Sequence, residues 1–404
     1  MNVESEDVTV TWGHQPHPLD IQYSRWRLAV FQDVQESIDG TKLYFLYDPD
    51  ADERSMTSGA RKGGASIVVF DLNLRCFTAE MPLSVYGKPK FLFALKAPSM
   101  AGGTSFVLVT ETQERGMYQL HVSHVDLWAQ GNAVADNRML LRAPLILGGE
   151  YICTMREDVP ELVVMANPGL QVWRIDAMVN SPADPAHHFS VQGAELRHFY
   201  DGFVSMGAVY LLSSFTDGNL DYSRVHVLSL NTEHITTHTC MADPMRGMPP
   251  ARKQAACDAV YFSGYILLAG GEVEYGGQVT RLSDYWVLDL KTFQWTQIPS
   301  SMPIPLIEPR LTTTYSGNVY LWGDFDQPLP SMPTGTHLRI LRVKGFGEKI
   351  PPPSGSHHSH PYPSYHLPSP QPPGWTPSEG GYDTPTQDYS TTEKRKKKKD
   401  CSIQ

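Results

Sequence analysis

The sequence predicts an all-β chain: six short sheets packed in a ring as a six-bladed β-propeller, followed by a disordered tail. Three observations carry this. A Gly followed by a short apolar strand recurs six times, a second β-type run follows each recurrence, and the composition changes abruptly near residue 350. Units of about 55 residues holding three or four short strands are the pattern of propeller blades. A single blade cannot bury both of its faces, so blades pack side by side until the ring closes.

The recurring strands begin at Gly40, Gly103, Gly149, Gly207, Gly264 and Gly317, at successive spacings of 63, 46, 58, 57 and 53 residues. The following runs are residues 66–72, 117–125, 170–176, 224–230, 285–290 and 337–343, and further runs lie upstream at 27–34, 91–95, 255–262 and 311–315. The sixth unit ends near Val343 without enough chain for an outer strand. At the other terminus, residues 8–16, with Trp12 and Pro16, mirror residues 292–299, with Trp295 and Pro299. The N-terminal strand is therefore expected to complete the sixth blade and remove an open sheet edge. Seven blades is the alternative count.

The fifth unit has the richest pattern: Pro250 and Arg252, then Gly264 leading a strand into Gly270 and Gly271, then Asp284, Tyr285, Trp286 and Asp289, then Trp295. The sixth keeps Pro309, Arg310, Trp322 and Gly323. These residues resemble the kelch repeat, which implies that the Gly pair turns the chain at a strand end and that Tyr285 and Trp295 pack between blades. The resemblance implies a structural role for Arg252, Gly270, Gly271, Tyr285, Trp295, Arg310 and Gly323. A WD-repeat propeller is the competing architecture, with residues 172–176 similar to one of its strands.

The expected organisation is a kelch-like propeller over 8–347, a Pro/Ser/His/Tyr-rich linker over 350–393 and a basic C-terminus over 394–404. The linker lacks the apolar periodicity that would offset the entropy of ordering it. It carries a minimal PxxP at Pro370–Pro373, Ser/Thr-Pro steps at Ser369, Thr376 and Thr384, and His357, His358 and His360. A plain spacer accounts for all of these.

The chain ends in Cys401, Ser402, Ile403 and Gln404 behind six consecutive cations, Lys394, Arg395, Lys396, Lys397, Lys398 and Lys399. This resembles a prenylation box of the farnesyl class, with Cys401 the alkylated thiolate; geranylgeranyl is the other lipid of this chemistry. One isoprenoid binds membranes only marginally, and an adjacent basic cluster supplies the second signal. The expected location is the cytosolic face of a membrane, with prenyltransferase and an anionic lipid surface among the partners. Six of the 33 basic residues and one of the 43 acidic ones lie in 394–404, which leaves residues 1–393 at −15. A body so acidic is not a nucleic-acid binder. Anionic lipid should also repel it, so the tail is expected to do the anchoring. No 18-residue apolar run is present, and five scattered Cys without a CxxC pair suit a reducing compartment.

No Walker loop, GxSxG, HExxH or paired metal-ligand spacing occurs. Catalytic and metal residues are expected to be absent, as are cofactors other than the covalent lipid. Cys76, Cys153, Cys240 and Cys257 read as buried packing residues, and His187 and His188 as decoration of a loop or edge strand. The expected function is a membrane-tethered scaffold, not an enzyme, whose propeller binds a protein partner. The alternatives are a soluble cytosolic or nuclear interaction protein whose tail serves import, and a propeller oxidase of the copper-radical kind.

Overall fold

The computed structural model describes residues 2–10, 31–48, 65–96, 99–156, 158–260, 263–324 and 336–344. All of these fall within one compact unit spanning residues 1–353. The linker and basic C-terminus, with Cys401 and Lys394–Lys399, lie outside the described residues.

The described chain is almost entirely antiparallel strand and forms a six-bladed propeller. Blade 1 is Phe31–Glu36, Lys42–Tyr47, Ser66–Asp71 and Cys76–Pro82, from the channel outward. Blade 2 is Lys88–Leu95, Gly102–Glu114 and Met117–Trp128, with an outer strand split into Val134–Met139 and Leu145–Leu147. Blade 3 is Tyr151–Met155, Glu161–Ala166, Gln171–Asp176 and His187–Ser190. Blade 4 is Phe199–Ser205, Ala208–Ser214, Leu220–Ser229 and His234–Thr239. Blade 5 is Ala256–Val260, Tyr265–Ala269, Asp284–Asp289 and Gln294–Ser301. Blade 6 is Ile307–Thr313, Val319–Asp324 and Thr336–Lys344, and its outer strand is Asn2–Val10.

The residue patterns follow from this packing. A middle strand is covered by a neighbouring blade on each side, so it reads as an unbroken apolar run. Leu162, Val163, Val164, Met165 and Ala166 of blade 3 are all buried. An outer strand alternates instead, as Cys76–Pro82 does. Successive side chains of one strand face opposite neighbours. Leu43 and Phe45 join Tyr320 and Trp322 of blade 6, whereas Tyr44 and Leu46 join Phe106 and Leu108 of blade 2. Six apolar clusters of this kind fill the six gaps between blades.

Asn2–Val10 pairs with Thr336–Lys344 over nine residues, from Asn2 opposite Lys344 to Val10 opposite Thr336. Glu6 also reaches Arg75 of blade 1 at 2.7 Å. The N-terminal strand thus closes the ring, but it begins six residues before the expected 8–16. Residues 2–7 carry three acids and read poorly as strand. The open edge of Thr336–Lys344 supplies the backbone partners that override that propensity. Residues 11–16 lie outside the described residues.

One further expectation is corrected. Gly149 precedes the innermost strand of blade 3 rather than its second strand, Glu161–Ala166, which explains the short 46-residue spacing. Blade 5 also carries an extra hairpin, Glu272–Tyr275 with Gln278–Arg281, between its second and third strands. Its signal was the pair Gly276 and Gly277 between β-forming residues, which permits the positive φ of a two-residue turn.

Candidate functional site

The innermost strands of all six blades line a central channel of about 480 Å³. Three aspartates on three of these strands face it: Asp33, Asp201 and Asp258. Asp33 links three blades. Its Oδ2 accepts the Leu92 N–H of blade 2 at 2.9 Å, and its Oδ1 accepts the Thr312 hydroxyl of blade 6 at 3.1 Å. Asp258 Oδ2 accepts both the N–H (2.7 Å) and the hydroxyl (3.0 Å) of Thr313. Blade 6 is thereby held between carboxylates of blades 5 and 1. Asp201 accepts only its own chain's Gly202 N–H among the described residues, at 2.8 Å.

Burial raises all three acids well above the usual carboxylate range, Asp33 to about 6 and Asp201 and Asp258 to about 7. The cations at the channel are already engaged. Lys90 pairs with Glu111 at 3.2 Å, Arg156 with Asp158 and Glu161, and Arg310 donates to the Phe31 carbonyl. At one mouth Glu36 accepts from Ser316 at 2.6 Å and Tyr320 at 3.0 Å. There Tyr315 reaches past blade 1 to donate to Ala94 O of blade 2 at 3.0 Å, under Lys96.

The sequence-derived structural residues fall in two places. Arg252, fully buried, donates to both Asp284 oxygens (2.7 and 2.9 Å), to Gly270 O and to Pro250 O. Gly270 and Gly271 beside it have φ of +60° and +94°, and a Cβ on Gly271 would lie 2.7 Å from Lys253 O. Trp295 donates to Tyr222 O of blade 4, and Tyr285 is buried in the layer between blades 5 and 6. In blade 6, Arg310 spans to Phe31, and a Cβ on Gly323 would meet Ile307 O at 2.9 Å. Arg252 and the Gly pair tie blade 5 to its own entry segment, Trp295 and Tyr285 pack it against its neighbours, and Arg310 links blade 6 to blade 1.

Sequence reasoning missed the three channel aspartates, although each stands in the first strand of its unit. It also missed a buried network in blade 2. Asp126 accepts from Ser105, from Arg138 at 3.0 Å and from His124 Nε2 at 3.0 Å, while His124 Nδ1 bonds Ala177 O of the next blade at 2.8 Å. The Ser hydroxyl faces the carboxylate and not the imidazole, so this is a blade-to-blade tie rather than a nucleophile–base pair. Cys153, Cys240 and Cys257 are buried with their thiols pushed up by desolvation, which keeps them protonated. Cys76, expected to be buried, is only half-buried because it opens an outer strand. His187 and His188 lie on the exposed outer strand of blade 3, His187 bonded to Glu233 and His188 stacked on Trp173. Among the described residues, no three His, Cys, Asp or Glu side chains are grouped to hold a metal ion.

The two mouths differ in their connections. Antiparallel order puts all links between first and second, and third and fourth, strands on one face. The links between second and third strands, and between blades, lie on the other. On the latter, blade 2 extends the long ribbon of Gly102–Glu114 and Met117–Trp128, and blade 5 extends its extra hairpin, with Tyr275 exposed at the tip. Blades 2 and 5 stand opposite one another across the channel.

No family model matches the chain. It is similar to the kelch domain-containing protein 10 of Homo sapiens, 28% identical over 136 residues, which are 33% of this chain and 29% of that protein. The protein of the same name from Xenopus tropicalis is 31% identical over 137 residues, 33% of this chain and 32% of the relative. The chain therefore spans about a third of the length of the curated relatives it matches. Among solved structures, YjhT matches at a TM-score of 0.47 and 9% identity over 80% of this chain and 97% of its own. Hydrazine synthase of Kuenenia stuttgartiensis matches at 0.43 and 12%, over 76% of this chain and 75% of its own.

Proposed function

We propose that this kelch-type propeller is a non-enzymatic protein-interaction scaffold tethered to the cytosolic face of a membrane by a prenylated, polybasic C-terminus. The observation that carries the interaction reading is the asymmetry of the two faces. The ribbon of blade 2 and the hairpin of blade 5 project from one face on opposite sides of the channel, and flank a concave mouth. Binding residues gather on loops positioned by a rigid scaffold, and this face has the longer ones. Asp33, Asp258 and the Ser105–Asp126–His124 network tie neighbouring blades together, which supports a binding rather than a catalytic role.

The anchoring half rests on sequence. Cys401 takes the isoprenoid, the cations Lys394–Lys399 engage anionic headgroups at about 1 kcal/mol each, and residues 350–393 act as the spacer. The test has two arms on the full chain. Affinity capture from cells should recover a partner with the native protein and lose it with Tyr275→Ser combined with Arg115→Glu on the two projecting tips. An N-terminal fluorescent fusion should lose membrane signal on Cys401→Ser. A partner set indifferent to the tip variant refutes the face assignment, and nuclear enrichment indifferent to Cys401→Ser refutes the anchor.

A further inference from the structure

We propose that the opposite face of the propeller, formed by the short turns, rests on the bilayer through a crown of apolar tips; this builds on the anchor reading. The turn between first and second strands presents a large apolar side chain in five blades: Ile38, Met100, Val159, Met206 and Tyr315. Four of these are exposed, at 46, 102, 45 and 45% respectively, and Tyr315 is half-buried against Ala94 and Lys96. The corresponding turn of blade 5 begins in residues 261–262, outside the described residues.

Single exposed apolar residues are ordinary on a protein surface. Their recurrence at one position of the repeat is not. Tight turns favour Gly, Asn, Asp and Ser, and the four exposed tips belong to none of the apolar clusters between blades. Met206 adds a second argument. Its φ is +50°, in the left-handed region where Gly or Asn is favoured, so a long apolar side chain is kept there against backbone preference. On the same face, the turns between third and fourth strands expose Leu74, Trp128 and Met178. Trp is suited to the membrane–water boundary, with an apolar body and a polar N–H.

Two observations select a bilayer as the occupant. First, the last described strand ends on this face: Thr336–Lys344 is a third strand, and its end at Lys344 lies beside Asn2 on the side of the short turns. Sixty residues follow, ending in the proposed lipid anchor. A spacer starting on this side needs no path around the ring. Second, the segments that join first to second strands are nearly balanced in sequence, Lys96 and Arg156 against Asp39, Glu157 and Asp158, whereas residues 1–393 carry −15. Shallow insertion of apolar tips beside one lipid chain is the two-signal logic of stable membrane attachment. The protein-binding face would then point to the cytosol.

The test uses prenylated full-length protein in a Cys76→Ser background, spin-labelled at Met100→Cys or, on the other face, at Tyr275→Cys. It is read on vesicles of phosphatidylcholine with a minority of phosphatidylserine. The expected result is a label at position 100 that gains collisions with oxygen and loses them with an aqueous nickel complex, while the label at 275 stays aqueous. Ile38→Ser, Met100→Ser and Met206→Ser together should weaken vesicle binding at least about tenfold without lowering Tm. Bound protein with both labels aqueous overturns the crown but leaves the anchor standing, and makes a protein the occupant of that face. Failure of the unmutated prenylated protein to bind refutes anchor and crown together.

Discussion

Replacing Arg252 by Met tests how much a single buried ion pair contributes to holding blade 5 together. The substitution keeps most of the side-chain volume and removes four hydrogen bonds: two to Asp284, one to Gly270 O and one to Pro250 O. Asp284 is then left mostly buried, 19% exposed, with the Trp286 indole N–H as its remaining donor. Breaking a buried pair by removing one partner costs about 3–5 kcal/mol, mainly because the other charge stays desolvated. A folded unit of about 340 residues has an unfolding entropy on the order of 0.7 kcal/mol/K, so a loss of about 4 kcal/mol lowers Tm by about 6 °C. Asp284→Asn added to Arg252→Met should restore part of that loss, since it removes the stranded charge. Differential scanning calorimetry of the four proteins in this cycle measures both quantities. A drop below about 1 °C for Arg252→Met, or strict additivity of the two substitutions, refutes the reasoning.

Other outcomes follow from the same structure. Gly271→Ala, at φ +94° with its Cβ 2.7 Å from Lys253 O, should cost more than about 2 kcal/mol in urea unfolding, whereas Gly276→Ala, at φ +60° in open space, should cost about 1 kcal/mol. Deleting residues 2–10 exposes the edge of Thr336–Lys344 and should lower Tm by several degrees and raise aggregation in light scattering. The channel acids set a pH dependence. Their folded pKa values of about 6 to 7 lie above the unfolded value of 3.8, so the folded state binds protons more tightly. The destabilisation they cause is complete above pH 7 and is relieved as pH falls toward 4. Melting temperature should therefore rise from pH 8 to pH 5.5, and Asp201→Asn should raise it at pH 8 and flatten the profile.

Much of the ring was legible because the second and third strands of each blade are sandwiched between neighbours. That burial leaves unbroken apolar runs, such as Ser66–Asp71, with glycines at the turns before them. The outer strands were less legible. Val134–Met139, mostly half-buried, and His234–Thr239, largely exposed, lack an apolar pattern, and only pairing with the strand inside them makes them strands. In blade 3 the innermost strand, Tyr151–Met155, imitates a second strand because Gly149 stands in front of it. The channel aspartates were hidden for another reason. An acid within a first strand breaks the apolar pattern, and only the ring shows that its side chain points at a shared axis. The blade 5 core around Arg252 was readable because the backbone turns left-handed at Gly270 and Gly271, and Lys253 O leaves no room for a Cβ on Gly271.

The proposed membrane tether depends on modification of Cys401. The direct measurement is the mass of the C-terminal peptide from full-length protein isolated from eukaryotic cell membranes. A thioether-linked isoprenoid on Cys401 is expected on essentially all of the membrane-bound protein. An unmodified peptide ending in Gln404 from the membrane fraction would contradict it.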